Sequence, residues 1–83
     1  MRDPLLNDIE NTIADTIEAF TQYRPTEDDF NKPLKNFGLT SVQGMLLIGK
    51  LEDIYSIDVD HDSLAGNQTL SAFAYRFYEL ARG

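Results

Sequence analysis

Apolar residues recur along this chain at helical spacing in three blocks, separated by two polar connections. In the first block Leu5, Leu6, Ile9, Ile13, Ile17 and Phe20 fall on one side, with Asn, Asp, Glu and Thr on the other. That period is the signature of a helix with one buried face. Asp3-Pro4 suits its start, since Asp caps free N–H groups and Pro lacks the donor a first helical position leaves unused. The spacing predicts a helix over about residues 4–22, ended by Arg24-Pro25. A second helix is predicted from Ser41 to Tyr55, capped by Thr40 or Ser41. Thr69 caps a third, running to about Ala81, whose stripe of Leu70, Phe73, Phe77 and Leu80 faces a core.

The first connection, residues 25–40, holds Pro25, Pro33, a Glu-Asp-Asp run and Gly38. Loops longer than roughly 12–15 residues in compact domains are functional or disordered. Here Phe30, Leu34, Phe37 and Leu39 are spaced to pin the segment to the core. The second connection, residues 56–68, is expected to contain one short helical turn near Ser63–Gly66. No strand alternation of useful length occurs. The expected fold is all-α, a small four-helix bundle of three long helices and one short one, forming a single domain over residues 1–83.

Charge and composition narrow the function. Fourteen acidic residues against seven Lys and Arg give a formal net charge of −7. Nucleic acid and anionic membranes both need a basic face, so neither is an expected partner. Partners carrying basic patches are favoured instead. Without cysteine, neither disulfides nor a Cys-based zinc site can form. The longest apolar run, Met45 to Ile48, is far short of a membrane span, and no signal peptide is visible. A cytoplasmic monomer is the expectation. A chain this short builds one modest core, which leaves no room for a deep catalytic cleft. Paired carboxylates, a metal cluster and a glycine-rich phosphate loop are all missing, so no enzyme is expected.

The stretch Phe37-Gly38-Leu39-Thr40-Ser41-Val42 lies where the long connection meets the second helix. It resembles the attachment motif of acyl and peptidyl carrier proteins, in which Gly-Leu-Asp-Ser-Leu opens that helix. The run from Leu47 through Leu51-Glu52-Asp53-Ile54-Tyr55 to Ile57-Asp58-Val59 is similar to the family's helix end and the apolar strip after it. Thr69-Leu70 ahead of an aromatic-rich last helix fits as well. The resemblance covers nearly the whole chain. It implies a carrier-type helical bundle with phosphopantetheine joined covalently to Ser41. The arm's thiol would hold acyl or aminoacyl intermediates as thioesters for a polyketide, mixed peptide–polyketide or fatty-acid pathway. Implied partners are a phosphopantetheinyl transferase, an acyl- or aminoacyl-loading enzyme, synthase or condensing enzymes, and a thioesterase or acyltransferase. One departure stands out. The family's usual Asp before the serine is Thr40 here.

The family's chemistry has a physical basis in this sequence. A serine at a helix start is reachable by a modifying enzyme, and the resulting phosphodiester is an anion favoured by the helix N-terminus. On a wheel of about 100° per residue, Leu47, Ile48, Leu51, Ile54 and Tyr55 gather on a core side. Val42, Met45, Leu46 and Gly49 gather nearly opposite, beside Ser41 and Thr40, with Glu52 and Asp53 flanking them. Exposed apolar patches mark partner surfaces, so these residues form the candidate docking face.

Two features compete for attention. Asp58-Val59-Asp60-His61-Asp62 imitates the start of a calcium-binding loop, but Ser63 stands where Gly is needed and Thr69 where Glu is needed. No metal site is expected, and His61 has no nucleophile beside it in sequence. The alternative function is a cofactor-free acidic helical adaptor that binds a partner helix and leaves Ser41 as a plain cap.

Overall fold

A computed structural model describes residues 3–59 and 68–83. Three helices form: α1 (Pro4–Thr21), α2 (Ser41–Tyr55) and α3 (Leu70–Ala81). The first connection carries two single-turn 3-10 helices, Asp28–Asn31 and Leu34–Phe37. The turn expected near 63–66, and Asp60, His61 and Asp62 of the calcium-loop look-alike, lie outside the described residues.

Each helix starts on the cap its sequence offers. Asp3 accepts from the Leu5 N–H at 2.9 Å ahead of Pro4. Thr69 accepts from the Ala72 N–H at 3.1 Å. The end of α1 differs slightly from expectation. It closes at Gln22, whose left-handed backbone (φ 64°) points its N–H at the Glu18 carbonyl. The chain has therefore left the helix before Pro25 could break it. Arg24 then folds back to pair with Asp15 and, at 3.3 Å, with Glu18.

Helix α1 packs on both α2 and α3. Its Ile9, Ile13 and Ile17 are fully buried one turn apart, as the period requires. Across from them stand Leu70, Phe73, Ala74, Phe77 and Tyr78 of α3, with the Phe73 and Phe77 rings tilted at 60° and 5.0 Å apart. Leu80, expected to face the core, is partly buried against it. From α2 only Leu47 and Leu51 are fully buried, with Ile48 and Tyr55 partly so. Ile54 departs from the expected core face and is 50% exposed. It lies about 60° from Leu51 on the side away from Tyr55, and Tyr55 is the residue that reaches α1.

Two phenols fasten the helix ends. The Tyr55 hydroxyl donates to Asp8 at 2.6 Å and lies 3.1 Å from the Thr12 hydroxyl. The Tyr78 hydroxyl donates to Asp3 at 2.8 Å. Both ties join the start of α1 to the far ends of α2 and α3.

The long connection is pinned as expected. Phe30 is buried, and Leu34, Phe37 and Leu39 pack against the core. Backbone bonds Leu34 N–H to Gln68 carbonyl (2.8 Å) and Leu70 N–H to Lys32 carbonyl (3.1 Å) stitch it to the start of α3. The buried Asp29 carboxylate organises the turn. It accepts from the Thr26 N–H at 2.9 Å, from Lys32 at 3.0 Å and from the Tyr23 hydroxyl. No described helix is long and apolar enough to cross a membrane.

These donors, the Thr26 N–H foremost and then Tyr23 and Lys32, hold the Asp29 carboxyl well below the usual carboxylate range. A depressed folded-state value adds stability above the unfolded carboxylate value, about 3.9. That stability is lost as the pH falls toward the folded-state value. Asp29→Asn should therefore melt below the wild type at pH 7, with the gap narrowing at pH 2. A gap equally wide at both values in thermal melts would refute this role.

Candidate functional site

Ser41 is delivered by a short relay of backbone constraints. The 3-10 helix Leu34–Phe37 ends on Gly38, whose φ of 73° lies where L side chains are strained. That turn sends the chain out as the extended pair Leu39-Thr40. Leu39 is half-buried on the core and fixes the depth at which α2 begins. Thr40 is the N-cap, and Ser41 is the first residue of the helix.

Thr40 and Gln43 close a capping box. The Gln43 N–H donates to the Thr40 hydroxyl at 3.1 Å, and the Thr40 N–H donates to Gln43 Oε1 at 3.0 Å. Each satisfies a group that the helix start leaves open. Ser41 is exposed, and its hydroxyl has no hydrogen-bond partner among the described residues. The N–H groups of Ser41 and Val42 are likewise unpaired among the described residues. No acidic residue stands in the first turn. An anion joined to Ser41 therefore meets two free donors and the positive end of the helix, which is the chemistry a phosphodiester needs.

Of the expected docking residues, Val42 (66% exposed), Met45 (61%) and Leu46 (55%) stand outward beside Ser41. The long connection does not cover them. Gly49 lies among them, and a methyl group added there would meet nothing within 4 Å. Asp53 is exposed at the far end of the face. Glu52, also expected to flank the face, is half-buried. Its carboxylate accepts from the Val59 N–H at 2.9 Å, because the left-handed turn at Ser56 brings the chain back beneath it. Thus Glu52 holds the apolar strip of Ile57 and buried Val59 in place.

Two contributors escaped the sequence reading. Gln43 was legible as the fourth residue of a Thr-x-x-Gln capping box. Gly38 could be read as a turn residue, but its part in aiming Ser41 depends on a 3-10 helix that no periodicity announces. A groove of about 560 Å³ lies elsewhere, lined by α1, the 24–31 segment and Ser71. It takes no residue from α2 and has no share in the Ser41 site. No cluster of three or more metal-ligating side chains occurs among the described residues.

Comparison with known families gives one match. The model of the phosphopantetheine attachment site matches residues 11–76, most of the chain and all of α2. No curated protein and no solved structure matches.

The capping box gives a direct check on how Ser41 is held. Thr40→Ala removes the side-chain acceptor and should cost about 1 kcal/mol in urea unfolding. Thr40→Asp keeps an acceptor and adds a favourable charge at the helix start, so it should match or exceed the wild type. A Thr40→Ala variant as stable as the wild type would show that the cap contributes nothing.

Proposed function

Because the chain belongs to the phosphopantetheine attachment site family, whose members are non-catalytic carriers, we propose that Ser41 is the residue that takes the arm. The observation that carries this reading is the Ser41 hydroxyl itself, exposed and without a partner at the first residue of α2. The other described serines of the matched segment suit the task less well. Ser56 caps the C-terminal end of α2, where the helix dipole repels an anion. Ser71 is half-buried in the first turn of α3.

When bound, the arm supplies a terminal thiol that carries cargo as a thioester, which is why the chain needs no cysteine of its own. The residues of the chain do the holding. The Ser41 and Val42 N–H groups would hold the phosphodiester, and the Thr40–Gln43 box fixes the helix start that presents them. Val42, Met45, Leu46 and Gly49, with Thr40 and Asp53 at the margins, form the face that the transferase and later the synthase enzymes meet. The described residues share one core and act as one carrier unit.

The cargo is an acyl or aminoacyl intermediate of a polyketide or mixed peptide–polyketide pathway. Two features support this over the alternatives. Primary fatty-acid carriers keep an Asp before the serine and a strongly acidic second helix, whereas this chain has Thr40 and, five residues past Ser41, Leu46. Peptidyl carriers often show Gly-Gly-His-Ser, and here the sequence is Gly38-Leu39-Thr40-Ser41.

Incubation with a broad-specificity phosphopantetheinyl transferase and coenzyme A should add one phosphopantetheine mass to the intact chain. Ser41→Ala should abolish the addition and leave the helical circular dichroism unchanged. A modified Ala variant would move the attachment to another residue. A second expectation concerns Gly49. A mid-helix glycine costs roughly 0.5–1 kcal/mol relative to Ala, and a Cβ has open space there. Gly49→Ala should gain about that much in urea unfolding while slowing modification of Ser41. A stabilised variant modified at the wild-type rate would show that no partner needs the close approach.

A further inference from the structure

The groove of about 560 Å³ between α1, the 24–31 segment and the start of α3 takes no residue from α2, so nothing in the Ser41 site accounts for it. Its size falls within the range of ligand sites, about 300–1,000 Å³. Its walls are fixed against each other. The Lys32 carbonyl accepts from the Leu70 N–H at 3.1 Å, which holds the end of the 24–31 segment against the first turn of α3, where Ser71 lies. Asp29 locks the turn carrying Phe30 and Asn31, through the Thr26 N–H and Lys32. The groove is therefore formed before any ligand arrives.

Its floor is apolar and its rim is made of amides. Ala14, Pro25 and Phe30 are buried beneath it. Around it stand the exposed Asn7, Asn11 and Asn31 and the half-buried Ser71, and none of these four side chains has a hydrogen-bond partner among the described residues. Asparagine is one of the poorer helix formers, and neither Asn7 nor Asn11 caps α1 or ties it to another element. The fold gives no reason for them, but their spacing does. Four residues apart, they repeat at about 6 Å along the axis of α1. Alternate residues of an extended chain repeat at about 6.6 Å. A carboxamide donates and accepts as a peptide group does, so two in this register match successive same-side peptide groups of an extended segment. Charge narrows the choice of segment. Arg24 is already paired with Asp15 and Glu18, and Glu10 is engaged as well. Glu27 is exposed on the rim and has no ion pair among the described residues. A Lys or Arg suits that place, with methylenes for the apolar floor and a charge for Glu27.

We infer that this groove is a docking site for an extended peptide segment of a partner protein, one that carries a basic side chain. The segment lies along α1, with its main chain bonded by Asn7 and Asn11 on one side and by Asn31 and Ser71 on the other, and its basic residue at Glu27. The site is separate from α2 and does not depend on which serine takes the arm. A partner held here would leave the Ser41 end of α2 open to a second enzyme.

The test is a titration of the full chain, followed by amide chemical shifts at 0.15 M NaCl. The probe is an acetylated, amidated octapeptide of alternating threonine and serine with one central lysine. It should give saturable shifts at Asn7, Asn11, Asn31 and Ser71, including the asparagine side-chain amides. Replacing the lysine by glutamate should weaken binding at least fivefold. Methylating alternate main-chain nitrogens of the probe, which leaves its charge unchanged, should do the same. Asn11→Ala and Glu27→Gln should each weaken binding at least fivefold with unchanged helical circular dichroism, and Ser41→Ala should bind as the wild type does. Equal binding of the methylated probe would overturn the inference, since charge attraction alone would then suffice. So would shifts scattered away from the groove, or no saturable shift at millimolar probe. Shifts at the same amides that grow with protein concentration in the absence of probe would make the occupant a second copy of the chain, and would overturn it too.

Discussion

Both other helices are built against the isoleucine stripe of α1. Ile9, Ile13 and Ile17 are fully buried, and the apolar sides of α2 and α3 are set by contact with that helix. A chain of this length has one core to spend its apolar residues on. The consequence for α2 is a narrow footing, with only Leu47 and Leu51 fully buried. The rest of its circumference is left for other uses, and the side opposite the footing is where Ser41, Val42, Met45 and Leu46 appear.

Position along the helix is controlled by the connection before it. A sixteen-residue segment without regular helices could wander, but this one is held at several places. Asp29 gathers the Thr26 N–H, the Tyr23 hydroxyl and Lys32 around one buried carboxylate. The Pro33–Thr69 pairing then ties the middle of the segment to the start of α3. Gly38 turns the chain, and Leu39 seats it. The Ser41 hydroxyl thus stands exposed at the end of an anchored path, and no described residue bonds it.

The three helices and their caps were legible because they depend on local rules. Asp3, Thr40 and Thr69 cap as their residue types dictate, and the stripes of α1 and α3 follow the helical period. Ser41 stood out as the candidate because its motif is a run of neighbours in sequence. What escaped depends on longer reach. Ile54 reads as core on a wheel and turns out half-exposed, because α1 lies on the Tyr55 side of α2, which no wheel of α2 alone can know. Glu52 reads as a surface acid and is bonded to Val59, seven residues later, because the chain reverses at Ser56. The 3-10 helices of the first connection are too short to leave a period.

The tyrosine ties have a mechanical meaning. Tyr55 and Tyr78 clamp the C-terminal ends of α2 and α3 to Asp8 and Asp3, at the beginning of α1. Ser41 stands at the other end of α2, fourteen residues from Tyr55, or about 21 Å of helix. Helix α2 is therefore held along its whole length: Leu39 and the Thr40–Gln43 box seat its first turn, Leu47 and Leu51 bury its middle, and Tyr55 ties its last turn to Asp8. A push on the Ser41 end is carried through the helix to the start of α1 instead of being taken up by bending.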